Sequence, residues 1–220
     1  MSVKCIVFDF DGVLKESVDI KTRAFSDIYS KYGTSVVDKV VEHHLNNGGI
    51  SRYEKIKLYH KNFLNITSSD LEIQQIADFF SKIVLNKVVE APFVKGAEKF
   101  IKKNYKKYSM FISTGTPHNE IIQIVKQNKI NCFFIDVFGS PESKINHLNK
   151  ISNQWKIKKN NMIFIGDSIT DKTAANTFNI KFIARTNKND DSLANEKYRI
   201  NDLSELEKII FLIEGENGTN

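Results

Sequence analysis

The stretch IVFDFDGVL, at residues 6–14, places two carboxylates and a glycine directly after a run of apolar residues. A short apolar run that ends in turn residues predicts a buried strand followed by a loop. Asp9 and Asp11 then lie in one short turn, where their like charges repel each other. A fold keeps such a pair where another charge offsets the repulsion. The stretch therefore predicts a charged site at the end of the first strand.

The composition indicates a globular protein. The chain has 220 residues, of which 41% are hydrophobic, with 16 Phe and 3 Pro, which is unlike a disordered chain. Its length accommodates one large domain, or a core with a modest insert. Cys5 and Cys132 are isolated in the sequence, which predicts neither a disulfide framework nor a metal cluster and fits a reducing compartment.

The charge and the hydropathy pattern exclude several classes of partner. No apolar run reaches the roughly 18 residues of a membrane span, and the first is too short for a signal peptide; we expect a soluble, cytoplasmic protein without a membrane partner. The formal charge of +6 comes from lysines spread along the chain, a pattern typical of a solvated surface. We therefore expect no nucleic-acid partner, and the sequence implies no protein partner.

Four further segments repeat the pattern of an apolar run followed by turn residues: YSMFISTGTP, CFFIDVFGSP, NMIFIGDS and IKFIARTN. Helical patterns separate them from Thr116 onward, over residues 119–128, 143–155 and 170–179. Alternating strands and helices predict an α/β fold, with a doubly wound parallel sheet covered by helices on both faces.

Residues 15–91 interrupt this alternation with helical periodicity and no strand pattern. Segments such as SRYEKIKLYHKNFL and SSDLEIQQIADFFSKIVLNKVV begin with serine caps and repeat apolar residues at helical spacing. We predict a sheet core formed by residues 1–14 and 92–213, with a small helical domain of residues 15–91 inserted after the first strand. The polar tail, residues 214–220, is expected to be disordered.

Polar side chains follow the predicted strands at the edge where a doubly wound sheet binds its ligands. They are Asp9 and Asp11 after the first strand, Thr114 and Thr116 after the second, Lys144 after the third, and Asp167 and Asp171 after the fourth. Four carboxylates, two hydroxyls and one ammonium around a single crevice suit a hard cation and a phosphate.

These segments resemble the four motifs of the haloacid dehalogenase superfamily of phosphatases. The motifs stand in this chain as VFDFDGV, MFIST, SPESK and FIGDSITD. Each is a weak pattern alone, but all four occur in the right order with compatible spacing, and the resemblance covers nearly the whole chain. It implies a Rossmann-like core that transfers phosphoryl groups.

The resemblance implies a role for each motif residue. Asp9 would be the nucleophile that forms an aspartyl-phosphate, and Asp11 would be the general acid and base. Thr114 would bind a phosphoryl oxygen, assisted by backbone amides of Gly115 and Thr116 at a helix start. Lys144 would neutralise the charge that Asp9 shares with the phosphoryl group.

Charge crowding predicts a metal ion at the same place. Asp9, Asp167 and Asp171 with a phosphate dianion bring about five negative charges together, each close pair costing on the order of several kcal/mol. Mg²⁺ prefers such oxygen ligands. We expect Asp9, Asp167 and the backbone carbonyl of Asp11 to bind it, with Asp171 as a further ligand or as a group that orients one.

The helical insert resembles the small caps of phosphoglycolate-phosphatase-like and β-phosphoglucomutase-like members. A cap that closes over the site limits the substrate to a small phosphorylated metabolite. Within it, GGISRYEK resembles a mutase loop whose arginine binds the anionic end of the substrate, so we expect Arg52, with Lys55, to bind a second phosphate or a carboxylate. His43 and His44 are expected at the surface.

The expected reaction is Mg²⁺-dependent hydrolysis of a small phosphomonoester, such as a sugar phosphate or phosphoglycolate. A phosphosugar mutase is an alternative, although Lys21 stands where many capped relatives carry a histidine. A phosphonatase with Lys21 or Lys55 as an imine-forming amine also stays open. A different class is a non-enzymatic aspartyl-phosphate switch, although such proteins are shorter and lack the helical insert.

Overall fold

A six-stranded, all-parallel sheet forms the centre of the protein. The structure, a computed structural model, describes residues 2–186 and 192–216. The strands are β1 (Cys5–Phe8), β2 (Ser109–Pro117), β3 (Asp136–Ser140), β4 (Met162–Gly166), β5 (Lys181–Arg185) and β6 (Arg199–Ile200), in the order β3-β2-β1-β4-β5-β6. The predicted parallel α/β fold is confirmed. The two-residue β6 was missed, because it is too short for an apolar pattern.

Both faces of the sheet are buried, as a doubly wound fold requires. Ile6 and Phe8 of β1 join one core cluster, and Cys5 and Val7 join the other, because alternate side chains of a strand point to opposite faces. Five α-helices belong to the described part of the chain from residue 92 onward: α5 (Ala97–Asn104), α6 (His118–Gln127), α7 (Lys144–Gln154), α8 (Ile169–Phe178) and α9 (Leu206–Glu216).

Four helices lie between β1 and β2: α1 (Val18–Tyr29), α2 (Thr34–Asn46), α3 (Arg52–Phe63) and α4 (Asp70–Glu90). Aromatic rings hold them together, with Phe25 4.5 Å from Phe80 and 5.6 Å from Tyr59 between ring centroids. The chain segments entering and leaving these helices run side by side, since the Glu16 amide donates to the Pro92 carbonyl at 3.0 Å. The domain boundaries at residues 15 and 91 stay a prediction.

The end of the chain differs from the expectation of a disordered tail. Residues 214–216 continue α9, and Glu214 accepts a 2.8 Å hydrogen bond from the amide of Val3. Ile210 and Ile213 of the same helix are buried in the core. These contacts order a segment whose local composition alone is polar. Residues 217–220 lie outside the described residues.

Two helix starts also differ from the sequence prediction. β2 continues to Pro117, so Gly115 and Thr116 belong to a strand end and not to a helix start. α8 begins at Ile169, with Ser168 as its N-cap, one residue before the predicted Thr170. In the part of the chain that the structure describes, no helix has the length and apolar character to cross a membrane.

Candidate active site

The carboxyl ends of β1, β2 and β4 meet at one edge of the sheet. Phe8, the last residue of β1, lies opposite Ile112 of β2 and Ile165 of β4, so the polar residues that follow each strand converge. A cavity of about 650 Å³ lies between this edge and the helical insert. Its lining includes Asp9, Asp11, Thr114, Gly115, Thr116 and Asp167 from the sheet edge, and Lys21, His44, Arg52 and Lys55 from the insert.

Three carboxylates of the edge form a cluster that could hold a metal ion. Oxygens of Asp9, Asp167 and Asp171 all lie within 4.8 Å of one another. Burial, together with the neighbouring carboxylates, raises the pKa of Asp9 to about 7 and raises the pKa of Asp167 well above its usual value. Gly12, at φ +74°, lies against Asp167, where a Cβ would collide with the carboxylate. The oxygen donors fit a hard divalent cation.

Lys144 and Asp171 form a buried ion pair beside this cluster. The ammonium contacts Asp171 and lies 3.1 Å from Asp9 Oδ2. Burial opposes its charge, but Asp171 and Asp9 outweigh that effect and raise the pKa of Lys144. The other oxygen of Asp171 accepts hydrogen bonds from Ser168 Oγ at 2.5 Å and Ser168 N at 3.2 Å. Because Ser168 holds one oxygen of Asp171 and the other contacts the Lys144 ammonium, Asp171 fixes the position of Lys144.

Asp11 lies on the loop after β1 and is surrounded by donors. Ser17 Oγ donates to it at 2.6 Å, Thr116 Oγ1 donates at 3.0 Å, and Lys21 forms an ion pair with it. Burial opposes ionisation, but Lys21 and these hydrogen bonds outweigh it and lower the pKa of Asp11. The contact of Lys21 with Asp11 was not predicted from the sequence, where Lys21 stood as a departure from the family pattern and as a candidate imine-forming amine.

At the end of β2 the two neighbouring hydroxyls point in different directions. Thr114 lines the cavity, and its Oγ1 accepts a 3.2 Å hydrogen bond from the Thr116 amide. Ser113 instead makes a 2.8 Å hydrogen bond to Nδ1 of His147, away from the cavity. Alternation along the strand thus turns Thr114 towards the cavity and Ser113 away from it. The Thr116 amide is engaged by Thr114 and does not cap a helix.

Arg52 is paired within the protein. Its guanidinium makes a two-pronged ion pair with Glu120 of α6, at 2.7 and 2.6 Å, and a 2.6 Å hydrogen bond to Ser81. Only 4% of the Arg52 side chain is exposed. The sequence did not indicate Glu120 as its partner, because an acid in the first turn of a helix is common without any partner.

Lys55 and His44 form a buried pair on α3 and α2. The Lys55 ammonium lies 2.9 Å from His44 Nδ1 and 3.3 Å from the His44 carbonyl oxygen. Burial, then the charge of Lys21, lowers the pKa of Lys55 to about 7; burial, then Lys55, lowers the pKa of His44 to about 2. The prediction of a surface His44 was wrong, because the ring packs 4.9 Å from Phe25; His43 is half-buried, 3.2 Å from the Tyr59 hydroxyl.

A glycine loop of the helical insert lies directly over the sheet edge. The hydroxyl of Thr170 donates to the Gly48 carbonyl. Gly49, at φ +77°, sits so close to Lys144 that a Cβ would come within 3.0 Å of its ammonium. The carbonyl of Gly49 also occupies the space that a side chain at Gly115 would need. The insert therefore covers the cluster, with glycines at each close approach.

Residues 6–185 match the family model of haloacid dehalogenase-like hydrolases. The chain belongs to this family of hydrolases. It is 26% identical over 182 residues, 79% of each chain, to the phosphoglycolate phosphatase of Vibrio parahaemolyticus serotype O3:K6. The resemblance predicted from the four motifs is thereby confirmed.

Solved structures share the fold of this haloacid dehalogenase-like hydrolase. The β-phosphoglucomutase of Clostridium difficile superposes with a TM-score of 0.81 over 99% of this chain and 100% of that one, at 18% identity. A hydrolase of the same family from Bacillus subtilis, solved with bound magnesium, has a TM-score of 0.70 over 96% of this chain and 100% of that one, at 14% identity.

Proposed function

We propose that the protein is a magnesium-dependent phosphatase that hydrolyses a small phosphomonoester through an aspartyl-phosphate on Asp9. The observation that carries the proposal is the placement of Asp9, buried at the sheet edge between Asp167 and the Lys144 ammonium 3.1 Å away. A carboxylate between a cation and a metal-binding partner suits attack on an anionic phosphorus. The V. parahaemolyticus relative is named a phosphoglycolate phosphatase. The candidate substrates are therefore phosphoglycolate and sugar phosphates.

Asp9, Asp167 and the backbone carbonyl of Asp11 would hold the magnesium ion. These hard oxygen donors match its preference, and the B. subtilis relative binds the same metal. When bound, the ion offsets the charges of the carboxylates and the phosphate, so that a negatively charged nucleophile can approach a negatively charged substrate.

The reaction divides between two carboxylates. Asp9 attacks phosphorus, the bond to the leaving alcohol breaks, and Asp11 delivers the proton that this alcohol needs. Water then attacks the aspartyl-phosphate, Asp11 takes its proton, and Asp9 is regenerated as phosphate leaves. The Lys21 contact favours the ionised form of Asp11, which is the form that accepts a proton in this second step. The first step needs the protonated form of Asp11, so Asp11 takes up a proton before the alcohol leaves, and the attacking water restores that form. Thr114 and Lys144 hold the phosphoryl oxygens throughout.

The helical insert limits what the site accepts. Its glycine loop contacts the sheet edge at Gly115 and Thr170, so the cavity of about 650 Å³ is roofed. A cavity of this size suits a small molecule, and exclusion of bulk water strengthens the electrostatic interactions within it. We infer a small phosphorylated metabolite as substrate.

Phosphate release from a metabolite panel in the presence of MgCl₂ tests the proposal. Asp9→Asn keeps the shape of the nucleophile and removes its charge, and we expect it to lower kcat/KM by at least about 1,000-fold. Asp27→Asn, at an exposed position of α1, is the matched control and should behave as the wild type. Wild-type turnover in Asp9→Asn would refute the assignment of the nucleophile.

A further inference from the structure

Lys55 is a buried cation without a compensating carboxylate. Only 2% of the residue is exposed, and it lines the cavity. Among residues 2–186 and 192–216, no carboxylate forms an ion pair with it. Burying an unpaired charge costs several kcal/mol, so this arrangement calls for a group that offsets the cost.

The other basic side chains of the cavity lining are balanced within the protein. Each forms an ion pair with a carboxylate: Lys21 with Asp11, Arg52 with Glu120, and Arg185 with Glu16. Arg52, which the sequence predicted as the anion-binding residue, is therefore already neutralised. Lys55 differs from these three in having only a neutral imidazole and a backbone carbonyl as partners.

The hydrogen-bond count of Lys55 leaves one donor unused. An ammonium carries three protons, and His44 Nδ1 and the His44 carbonyl accept two of them, at 2.9 and 3.3 Å. A single remaining donor suits one oxygen of a carboxylate better than a phosphate, which is usually held by several donors. Because Lys55 lines the same cavity as Lys21 and Asp11, and Asp11 is the group that serves the leaving alcohol, we place this donor on the leaving-group side of the site.

We propose that Lys55 binds a second anionic group of the substrate, a carboxylate carried by the leaving alcohol. The inference rests on the proposed function and narrows it, because the preferred substrate becomes the phosphomonoester of a small hydroxy acid. Lys55 acts as a specificity-determining residue, because an anionic group of the substrate offsets part of the free-energy cost of burying the Lys55 charge, and a neutral group does not.

Two substrates that differ only in charge test this subsite: 2-phosphoglycolate and its neutral amide, 2-phosphoglycolamide. We expect Lys55→Met to lower kcat/KM for 2-phosphoglycolate, mainly through KM, about 10- to 100-fold more than for the amide, the range of a charge-assisted hydrogen bond. Lys57→Met, at an exposed position of the same helix, is the control and should leave the ratio of the two substrates as in the wild type.

Equal losses for the two substrates would overturn the inference, because they would reduce Lys55 to a packing role. A binding measurement separates this failure from failure of the proposed function. Titration of 2-phosphoglycolate into Asp9→Asn and into Asp9→Asn combined with Lys55→Met should show a Kd about 10- to 100-fold weaker in the second protein; equal Kd values refute the subsite whatever the turnover. Borohydride trapping of phosphonoacetaldehyde on Lys55 would assign imine chemistry and would also overturn it.

Discussion

Asp9 and Lys55 are buried in the same cavity, and burial moves their pKa values in opposite directions. The pKa of Asp9 is raised to about 7, and the pKa of Lys55 is lowered to about 7. Each shift shows that the charged form is under-compensated by the protein. A cation relieves the first, and an anion relieves the second. The cavity is thus complementary to a metal ion at one end and to an acidic group at the other.

The stability of Lys55→Met should depend on pH in a defined direction. Lys55 has a pKa of about 7 in the folded protein, below the usual value of about 10.4. Between these values the unfolded chain binds a proton that the folded chain does not, so the wild type gains stability as pH rises. Below pH 7 both states are protonated, and the burial penalty is complete. Lys55→Met removes the penalty, since Met fills similar space without charge.

We therefore expect Lys55→Met to exceed the wild type in free energy of unfolding at pH 6, and the difference to shrink by up to about 4 kcal/mol by pH 10. The neighbouring groups that bear on this titration are Lys21 and Asp11, together with His44, which lies 2.9 Å from the ammonium. Urea denaturation at several pH values measures it, and Lys57→Met corrects for the general effect of losing one lysine. A difference that stays constant with pH would contradict the assignment.

At the scale of elements, the Arg52–Glu120 pair joins α3 of the helical insert to α6 of the sheet domain. Both side chains are about 5% exposed or less, and the Arg52 guanidinium also lies 4.4 Å from the centre of the Phe80 ring. A buried pair adds little net stability when intact, but removal of one partner strands the other charge. The pair therefore fixes how α3 meets α6.

A double-mutant cycle should expose this coupling. Arg52→Met and Glu120→Gln should each lower the free energy of unfolding by about 3 kcal/mol, whereas the double variant should lose clearly less than the sum of the two. Urea denaturation supplies the four values. Additive losses would mean that the two groups act independently. In that case Arg52 would again be open to the substrate-binding role that its sequence context predicts.

The elements differ in how far their sequence predicted them. Strands β1 to β5, helices α6 to α8 and the helical character of residues 15–91 follow from local apolar periodicity, whereas α5 and α9 were not predicted. The convergence of Asp9, Thr114 and Asp167 follows from the parallel order of the strands. The partners of Arg52 and Lys21 did not follow from local patterns. Arg52 and Glu120 are 68 residues apart in the sequence, and Lys21 is 10 residues from Asp11 and 95 residues from Thr116. The burial of His44 depends on Phe25 of another helix, which no pattern within α2 reveals.

At the scale of the whole molecule, contacts between the helical insert and the sheet domain enclose the site. Lys21 reaches Asp11, Arg52 reaches Glu120, and the Gly48 carbonyl accepts from Thr170. Because the first and last of these contacts involve residues beside the carboxylate cluster, closure and assembly of the site are linked. The formal charge of +6 further favours the approach of anionic substrates.

Magnesium should stabilise the whole fold, because the ion binds a carboxylate cluster that only the folded chain assembles. At a free concentration of 100 times Kd, such binding adds about 2.7 kcal/mol, which raises Tm by roughly 5 to 10 °C for a chain of this size. Asp167→Asn should abolish this rise, and without metal it should melt above the wild type, since it relieves repulsion among buried carboxylates.

Thermal unfolding of both proteins in 5 mM MgCl₂ and in NaCl of matched ionic strength distinguishes binding from screening. Asp38→Asn, at an exposed position of α2, serves as the control and should keep the full magnesium response. The two halves of the prediction check each other, because repulsion that destabilises the metal-free protein is the same repulsion that the ion removes. If Tm of the wild type does not respond to magnesium, or if Asp167→Asn responds equally, the cluster is not the metal site.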